Sequence, residues 1–132
     1  MTMPAACRPA LLGTAFALLA ACATVAGSGR MVDDGQGFTM RTGEQVTLPD
    51  HSTLRYVRMV NDSRCPPDVQ CVWAGDAEIA FEWRASAAGV HAFSLHTTVG
   101  DKSATLGERR LTLLSLARGD MPEAQLRIER SP

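Results

Sequence analysis

The sequence Ala77-Glu78-Ile79-Ala80-Phe81-Glu82-Trp83-Arg84-Ala85 decides the fold class, because large apolar and charged side chains alternate along it. Successive side chains of a β-strand point to opposite faces of the sheet. Ile79, Phe81 and Trp83 therefore share one face. The other face carries Glu78, Ala80, Glu82 and Arg84. The pattern predicts a strand with one buried and one solvated face, which is typical of antiparallel sheets.

The next segment along the chain repeats this alternation. Ala92–Val99 places Phe93, Leu95 and Val99 on one side and polar residues on the other. Between the two strands lies Ser86-Ala87-Ala88-Gly89, which we expect to form a hairpin connection.

The segment before the central strand is strand-like but irregular. In Leu54–Asn61, Arg55 and Arg58 cannot both face solvent while the apolar residues all face inward, and a β-bulge would resolve this conflict. No segment of helix length shows a convincing 3.6-residue period. About seven short strands therefore predict an all-β domain, a small sandwich or barrel. The remaining strand candidates are Phe38–Met40, Val46–Leu48, Arg110–Ala117 and Gln125–Glu129.

The N-terminus has the zones of a secretory signal, with one charge at Arg8 followed by the apolar run Ala10–Ala20. Leu19-Ala20-Ala21-Cys22 ends this run and resembles the lipobox of bacterial lipoprotein precursors. The resemblance implies a signal peptide of residues 1–21, removed before Cys22, and a lipid on that cysteine that holds the protein to a membrane. An uncleaved membrane helix is the alternative, but the alanine-rich segment is weakly apolar for a span.

Composition divides the rest of the chain into a tether and one domain. Residues 22–36 are rich in Gly, Ser, Asp and Thr, which predicts a flexible tether. Residues 37–132 suffice for one small β-domain. Ala23, rather than aspartate, follows the lipidated cysteine, which by the same resemblance favours the outer membrane facing the periplasm over the inner membrane. The net charge is −1 with no basic cluster, so no nucleic-acid partner is predicted.

Two cysteines, Cys65 and Cys71, remain beyond the anchor, with a Pro-Pro turn between them. An exported protein meets an oxidising compartment, and this short spacing allows the sulfurs to meet, so a disulfide is predicted. Closing so small a loop contributes about 2 kcal/mol in the chain-entropy model. We expect Trp73 to be a core residue packed beside the disulfide, and Gly75 to permit the turn into the next strand.

The stretch Asp62–Gly75 resembles a signature of small secreted and lipid-anchored bacterial proteins, Asp-Ser-Arg-Cys-Pro-x-x-Val-x-Cys-x-Trp-Ala-Gly. Every fixed position of the signature is present in this chain. The resemblance implies an extracytoplasmic β-domain with a cysteine loop, and it carries no catalytic residues to this chain.

A non-catalytic binding module is the leading functional hypothesis. A loop stiffened by prolines and closed by a disulfide loses little freedom on association, which suits recognition. The expected partners are the membrane, through Cys22, and an envelope protein. A purely structural envelope lipoprotein and a protease-inhibitor-like loop are the alternatives. The candidate recognition residues are Arg64, Pro66, Pro67, Asp68, Val69 and Gln70.

Enzyme and metal chemistry have weaker support in the sequence. His51, His91 and His96 lack tight ligand spacing, and no Gly-x-Ser-x-Gly nucleophile elbow is present. No metal, cofactor or catalytic residue is therefore predicted.

Three structural outcomes would separate the hypotheses. An exposed loop with an apolar tip favours recognition, a loop packed against Trp73 favours a structural role, and a deep pocket with titratable groups favours an enzyme.

Overall fold

The computed structural model describes residues 29–85 and 89–132, which form two antiparallel four-stranded sheets. The first sheet has the order β2-β3-β4-β5 and the second the order β1-β8-β7-β6. The strands are β1 (Gly37–Met40), β2 (Gln45–Thr47), β3 (Thr53–Asp62), β4 (Ala77–Arg84), β5 (Val90–His96), β6 (Ser103–Leu106), β7 (Arg109–Leu116) and β8 (Ala124–Arg130). The all-β prediction is confirmed, with eight strands in place of about seven.

Several sequence-based predictions concern residues outside the described part of the chain. These are the signal peptide 1–21, the lipidated Cys22, residues 22–28 of the tether, and the middle of the Ser86–Gly89 hairpin connection. Within the described ranges, no helix is long and apolar enough to cross a membrane.

The hydrophobic core lies between the two sheets. Ile79 and Phe81 of β4 are 0% and 1% exposed, as their alternation with charged residues predicts. Leu126 and Ile128 of β8, which belongs to the opposite sheet, are buried in the same hydrophobic cluster. Burial of one face of each sheet against the other makes the domain a sandwich.

The predicted bulge in β3 is confirmed. The pairing of β3 with β4 shifts register between Tyr56 and Arg58, so that Val57 is inserted without a partner. Tyr56 is fully buried, whereas Arg55 and Arg58 are both exposed. The extra residue therefore lets both arginines reach solvent while Leu54 and Tyr56 stay in the core, and Val60 is 39% exposed.

The domain begins earlier than the sequence predicts. Of the predicted tether, residues 29–36 are part of the folded domain rather than a linker. Val32 is buried in the core, and its backbone N–H donates to the carbonyl of Thr47 at 3.0 Å. The guanidinium of Arg109, 6% exposed, bonds both carboxylate oxygens of Asp34 at 2.9 and 3.0 Å. The predicted boundary at residue 37 is therefore corrected, because residues 29–36 belong to the folded domain.

Strand bounds on the C-terminal side also differ from the prediction. β6 (Ser103–Leu106) is missing from the sequence-based set, because of its four residues only Leu106 is buried. The strand predicted over Ala92–Val99 starts at Val90 and ends at His96. Val99 is 56% exposed rather than on the buried face.

Candidate recognition site in the cysteine loop

The cysteine loop runs from the end of β3 to the start of β4 and is closed at its base by paired backbone. The N–H of Ser63 donates to the carbonyl of Asp76 at 2.7 Å, and the N–H of Cys65 donates to the carbonyl of Ala74 at 2.8 Å. These bonds extend the β3–β4 pairing beyond the sheet into a short neck. The rest of the loop projects from a fixed position because the neck orients it.

The predicted disulfide is present. Cys65 and Cys71 are bonded, with their Cα atoms 5.9 Å apart. The guanidinium of Arg118, on the β7–β8 connection, donates to the carbonyl of Cys65 at 2.7 Å. The disulfide and this contact from the other sheet hold the loop close to the neck.

Gly75 occupies the turn into β4, as the sequence predicts. Its φ of 75° lies in the left-handed region that glycine adopts at little cost. A Cβ at this position would stand 1.9 Å from the carbonyl oxygen of Ser63, which no rotamer change could relieve. The close approach of the two neck segments therefore requires glycine.

Arg64 is placed differently from the rest of the predicted recognition loop. Its side chain is 11% exposed and bonds both carboxylate oxygens of Asp62, at 2.6 and 2.8 Å. It also donates to the carbonyls of Leu116 and Ala117 at 2.7 and 2.9 Å. The hydrogen bonds that Arg64 donates to Asp62 raise the pKa of Arg64, and the same bonds, acting against burial, lower the pKa of Asp62. Arg64 therefore ties the loop to the second sheet, and we remove it from the recognition residues.

The outer part of the loop is exposed and carries three large apolar side chains. Pro66–Gln70 are exposed, in accord with their proposed role in recognition. Val69, Val72 and Trp73, here called the apolar tip, are 55%, 105% and 59% exposed. The expectation that Trp73 is a core residue is therefore wrong. Local sequence gives no signal of this, because tryptophan is buried on average and only the tertiary fold leaves the loop uncovered.

A hydrogen-bonded pair, Asp76 and His96, lies where the neck meets the β5–β6 connection. The Asp76 carboxylate accepts a 2.7 Å hydrogen bond from Nδ1 of His96 and others from the Thr97 hydroxyl and the N–H groups of Thr98 and Val99. Burial alone would raise the pKa of Asp76, but these bonds outweigh burial and lower it to about 2. The partners are about twenty residues apart, so sequence analysis missed the pair.

The low pKa of Asp76 predicts acid sensitivity. The carboxylate is more acidic in the folded than in the unfolded chain. Its contribution to the free energy of unfolding is therefore complete above pH 3.8 and is lost as the pH falls through the folded-state pKa of about 2. We expect Asp76→Asn to cost about 2 kcal/mol at pH 7 and close to nothing at pH 2. Urea unfolding of both chains across this pH range measures the difference, and a constant cost at all pH values would contradict the assignment.

The two sides of the loop predict opposite mutational behaviour. Arg64→Ala leaves a carboxylate and two carbonyls without their charged donor, so we expect a loss of about 2–3 kcal/mol in unfolding free energy. Trp73→Ala removes an exposed side chain and should change stability by less than about 0.5 kcal/mol. Urea midpoints of the two variants test this. An Arg64→Ala chain as stable as the wild type would return Arg64 to the recognition surface.

Two shallow grooves are lined by residues of the sheets rather than of the loop. One, of about 250 Å³, lies against Gly37, Phe38 and Leu114, and the other, of about 320 Å³, lies on the solvent face of the first sheet. In the described ranges no group of three or more His, Cys, Asp or Glu side chains is arranged to hold a metal ion.

Comparisons with known protein families, with curated proteins and with solved structures each return no match to this chain.

Proposed function

We propose that this protein is a lipid-anchored protein of the bacterial cell envelope whose cysteine loop binds an envelope protein without catalysing a reaction. The observation that carries the proposal is the apolar tip, three large apolar side chains held in water on a closed loop. Large apolar side chains exposed close together are characteristic of interaction sites, and these three lie within five residues of the sequence. The anchor is supported by the resemblance of Leu19-Ala20-Ala21-Cys22 to a lipobox.

The construction of the loop suits recognition because its side chains divide into two sets. One set fixes the loop in place and consists of Arg64, Arg118 and the disulfide. The other set is exposed to solvent and consists of Val69, Val72 and Trp73. Preorganisation of this kind reduces the ordering cost of binding. Tryptophan is also among the residues that most often dominate interface energy. The complementary partner is a protein surface with an apolar pocket that accepts the Trp73 indole.

A photo-crosslinking amino acid placed at Val72 of the full chain, in intact cells, tests the binding proposal. Met31 is the matched control, because it is an apolar residue that is 56% exposed and lies outside the cysteine loop. We expect a discrete protein adduct from position 72, none of the same size from position 31, and loss of the adduct when Trp73→Ala is added. No adduct at position 72, or an adduct that survives Trp73→Ala, would favour the purely structural alternative.

The anchor is tested separately by metabolic labelling with a palmitate analogue. Cys22→Ser should abolish the label, because serine cannot form the thioether. Label that persists in Cys22→Ser would rule out lipidation at this residue.

A further inference from the structure

β5 (Val90–His96) forms one edge of the first sheet, and its outward hydrogen-bonding groups can be identified from its neighbours. The N–H of Thr97 donates to Ala77 at the start of β4, whereas the N–H of His96 donates to Asp101 on the other side. Backbone direction alternates along a strand, so the N–H and C=O groups of Val90, Ala92 and Ser94 also face away from β4. No hydrogen bond among the described residues engages them.

The other sheet edges are protected by the fold. Residues 29–32 run along β2, where the N–H of Thr47 donates to the carbonyl of Arg30 at 2.9 Å. The Arg30 guanidinium also bonds the carbonyl of Thr39 on β1. β6 has only four residues and follows the charged pair Asp101-Lys102.

β5 lacks each of the devices that usually protect an edge. Its seven residues, Val90–His96, include no Lys, Asp, Glu, Arg or Pro, and its register with β4 is regular. Natural proteins usually guard such strands against pairing with another chain. β5 is therefore the edge strand that is best suited to pair with a strand of another chain.

The solvent face beside β5 carries a shallow groove. Ala80, Ala92 and Ser94 are small and line the groove of about 320 Å³ on this face. Val90, on the same face of the strand, is 45% exposed. If Ala92 lies opposite Ala92 of a second copy, Val90 lies opposite Ser94 of that copy and covers its groove. Each copy thus supplies both the projecting Val90 side chain and the groove that it covers, and no like charges face each other across the interface.

We propose that two copies of this chain pair antiparallel through β5, so that their first sheets join into one eight-stranded sheet. The interface is isologous, with Ala92 at the two-fold axis. Pairing along about five residues buries less than the roughly 1,200 Å² of a standard interface, so the dimer is weak in dilute solution. Attachment of both copies to one membrane would raise their effective concentration. The proposal does not depend on the cysteine loop.

Cysteine crosslinking of the full chain in cells tests the pairing. A short bismaleimide should link Ala92→Cys chains into a species of twice the monomer mass. Gln125→Cys is the matched control, because it is an exposed position in an inner strand of the second sheet. We expect no dimer from the control or from the wild-type cysteines. Absence of the dimer from Ala92→Cys, or crosslinks to a different protein alone, would overturn the proposal.

Introduction of opposite charges at Ala92 in two variants tests the register of the pairing. Restored pairing between the two variants would also show that each of them folds. Ala92→Lys and Ala92→Glu should each reduce self-association by about fivefold, because like charges then oppose each other across the axis. Co-expression of the two variants with different tags should restore pairing between unlike chains. Equal co-purification of like and unlike chains would contradict a two-fold axis at Ala92.

Discussion

Replacement of Asp34 by alanine is expected to lower the free energy of unfolding by about 3 kcal/mol, which is a large share of the 5–15 kcal/mol typical of a domain. The guanidinium of Arg109 is only 6% exposed and bonds both carboxylate oxygens of Asp34. The hydrogen bonds that Arg109 donates to Asp34 raise the pKa of Arg109, which stays charged. Without Asp34, this buried charge keeps the Asp50 carboxylate 3.6 Å away and the weaker attraction of Glu108.

Replacement of Arg109 instead of Asp34 should lower the free energy of unfolding much less. Arg109→Met fills the same space without a charge and leaves Asp34 and Asp50 about one-third exposed, so both carboxylates remain hydrated. We expect a change within about 1 kcal/mol. The exposed pair Arg41–Glu123 is the control, and Arg41→Ala should cost less than about 0.5 kcal/mol. Urea unfolding of the soluble domain, residues 29–132, measures all three variants. Equal losses from Asp34→Ala and Arg109→Met would contradict the account.

Truncation of Phe81 should be at least as damaging. The ring is 1% exposed and lies between Tyr56 and Phe93, with centroid distances of 5.2 and 5.6 Å. Phe81→Ala opens a cavity between two aromatic neighbours, and we expect a loss of about 3–5 kcal/mol. Phe81→Leu keeps most of the volume and should cost less than about 1.5 kcal/mol.

Leu114→Ala provides the comparison for an apolar residue outside the core, because its side chain is 48% exposed. Its cost should be below about 1 kcal/mol. Guanidinium unfolding midpoints of the three variants, at equal m-values, decide the ranking. Phe81→Ala and Leu114→Ala of equal stability would show that the inner face of β4 is misassigned.

Periodicity in the sequence predicts those parts of the fold in which one face is buried. β4 is the clearest case, because the apolar residues Ile79 and Phe81 are flanked by Glu78 and Glu82, which need solvent. The bulge at Val57 is predictable for the same reason, since two arginines break the alternation. β6 could not be predicted because its four residues bury little and so leave no pattern.

Long-range pairs are the part that local sequence does not reveal. Asp34 and Arg109 are 75 residues apart, and Arg64 reaches carbonyls 52 and 53 residues further along the chain. Each pair depends on how the two sheets stack. The cysteine spacing predicts the disulfide, because closure of a short loop is a local property. Which side chains of that loop face the domain and which face water is decided by the second sheet, and this is why Arg64 and Trp73 exchange their expected roles.

Accessibility of the Trp73 indole tests most directly whether the cysteine loop presents a rigid apolar tip. The chain has two tryptophans, so Trp83→Phe leaves Trp73 as the only indole fluorophore. We predict solvent-exposed emission with efficient acrylamide quenching in the folded, oxidised chain. We also predict high fluorescence anisotropy that falls when the Cys65–Cys71 bond is reduced. Blue-shifted emission protected from acrylamide would place Trp73 against the domain and contradict the account.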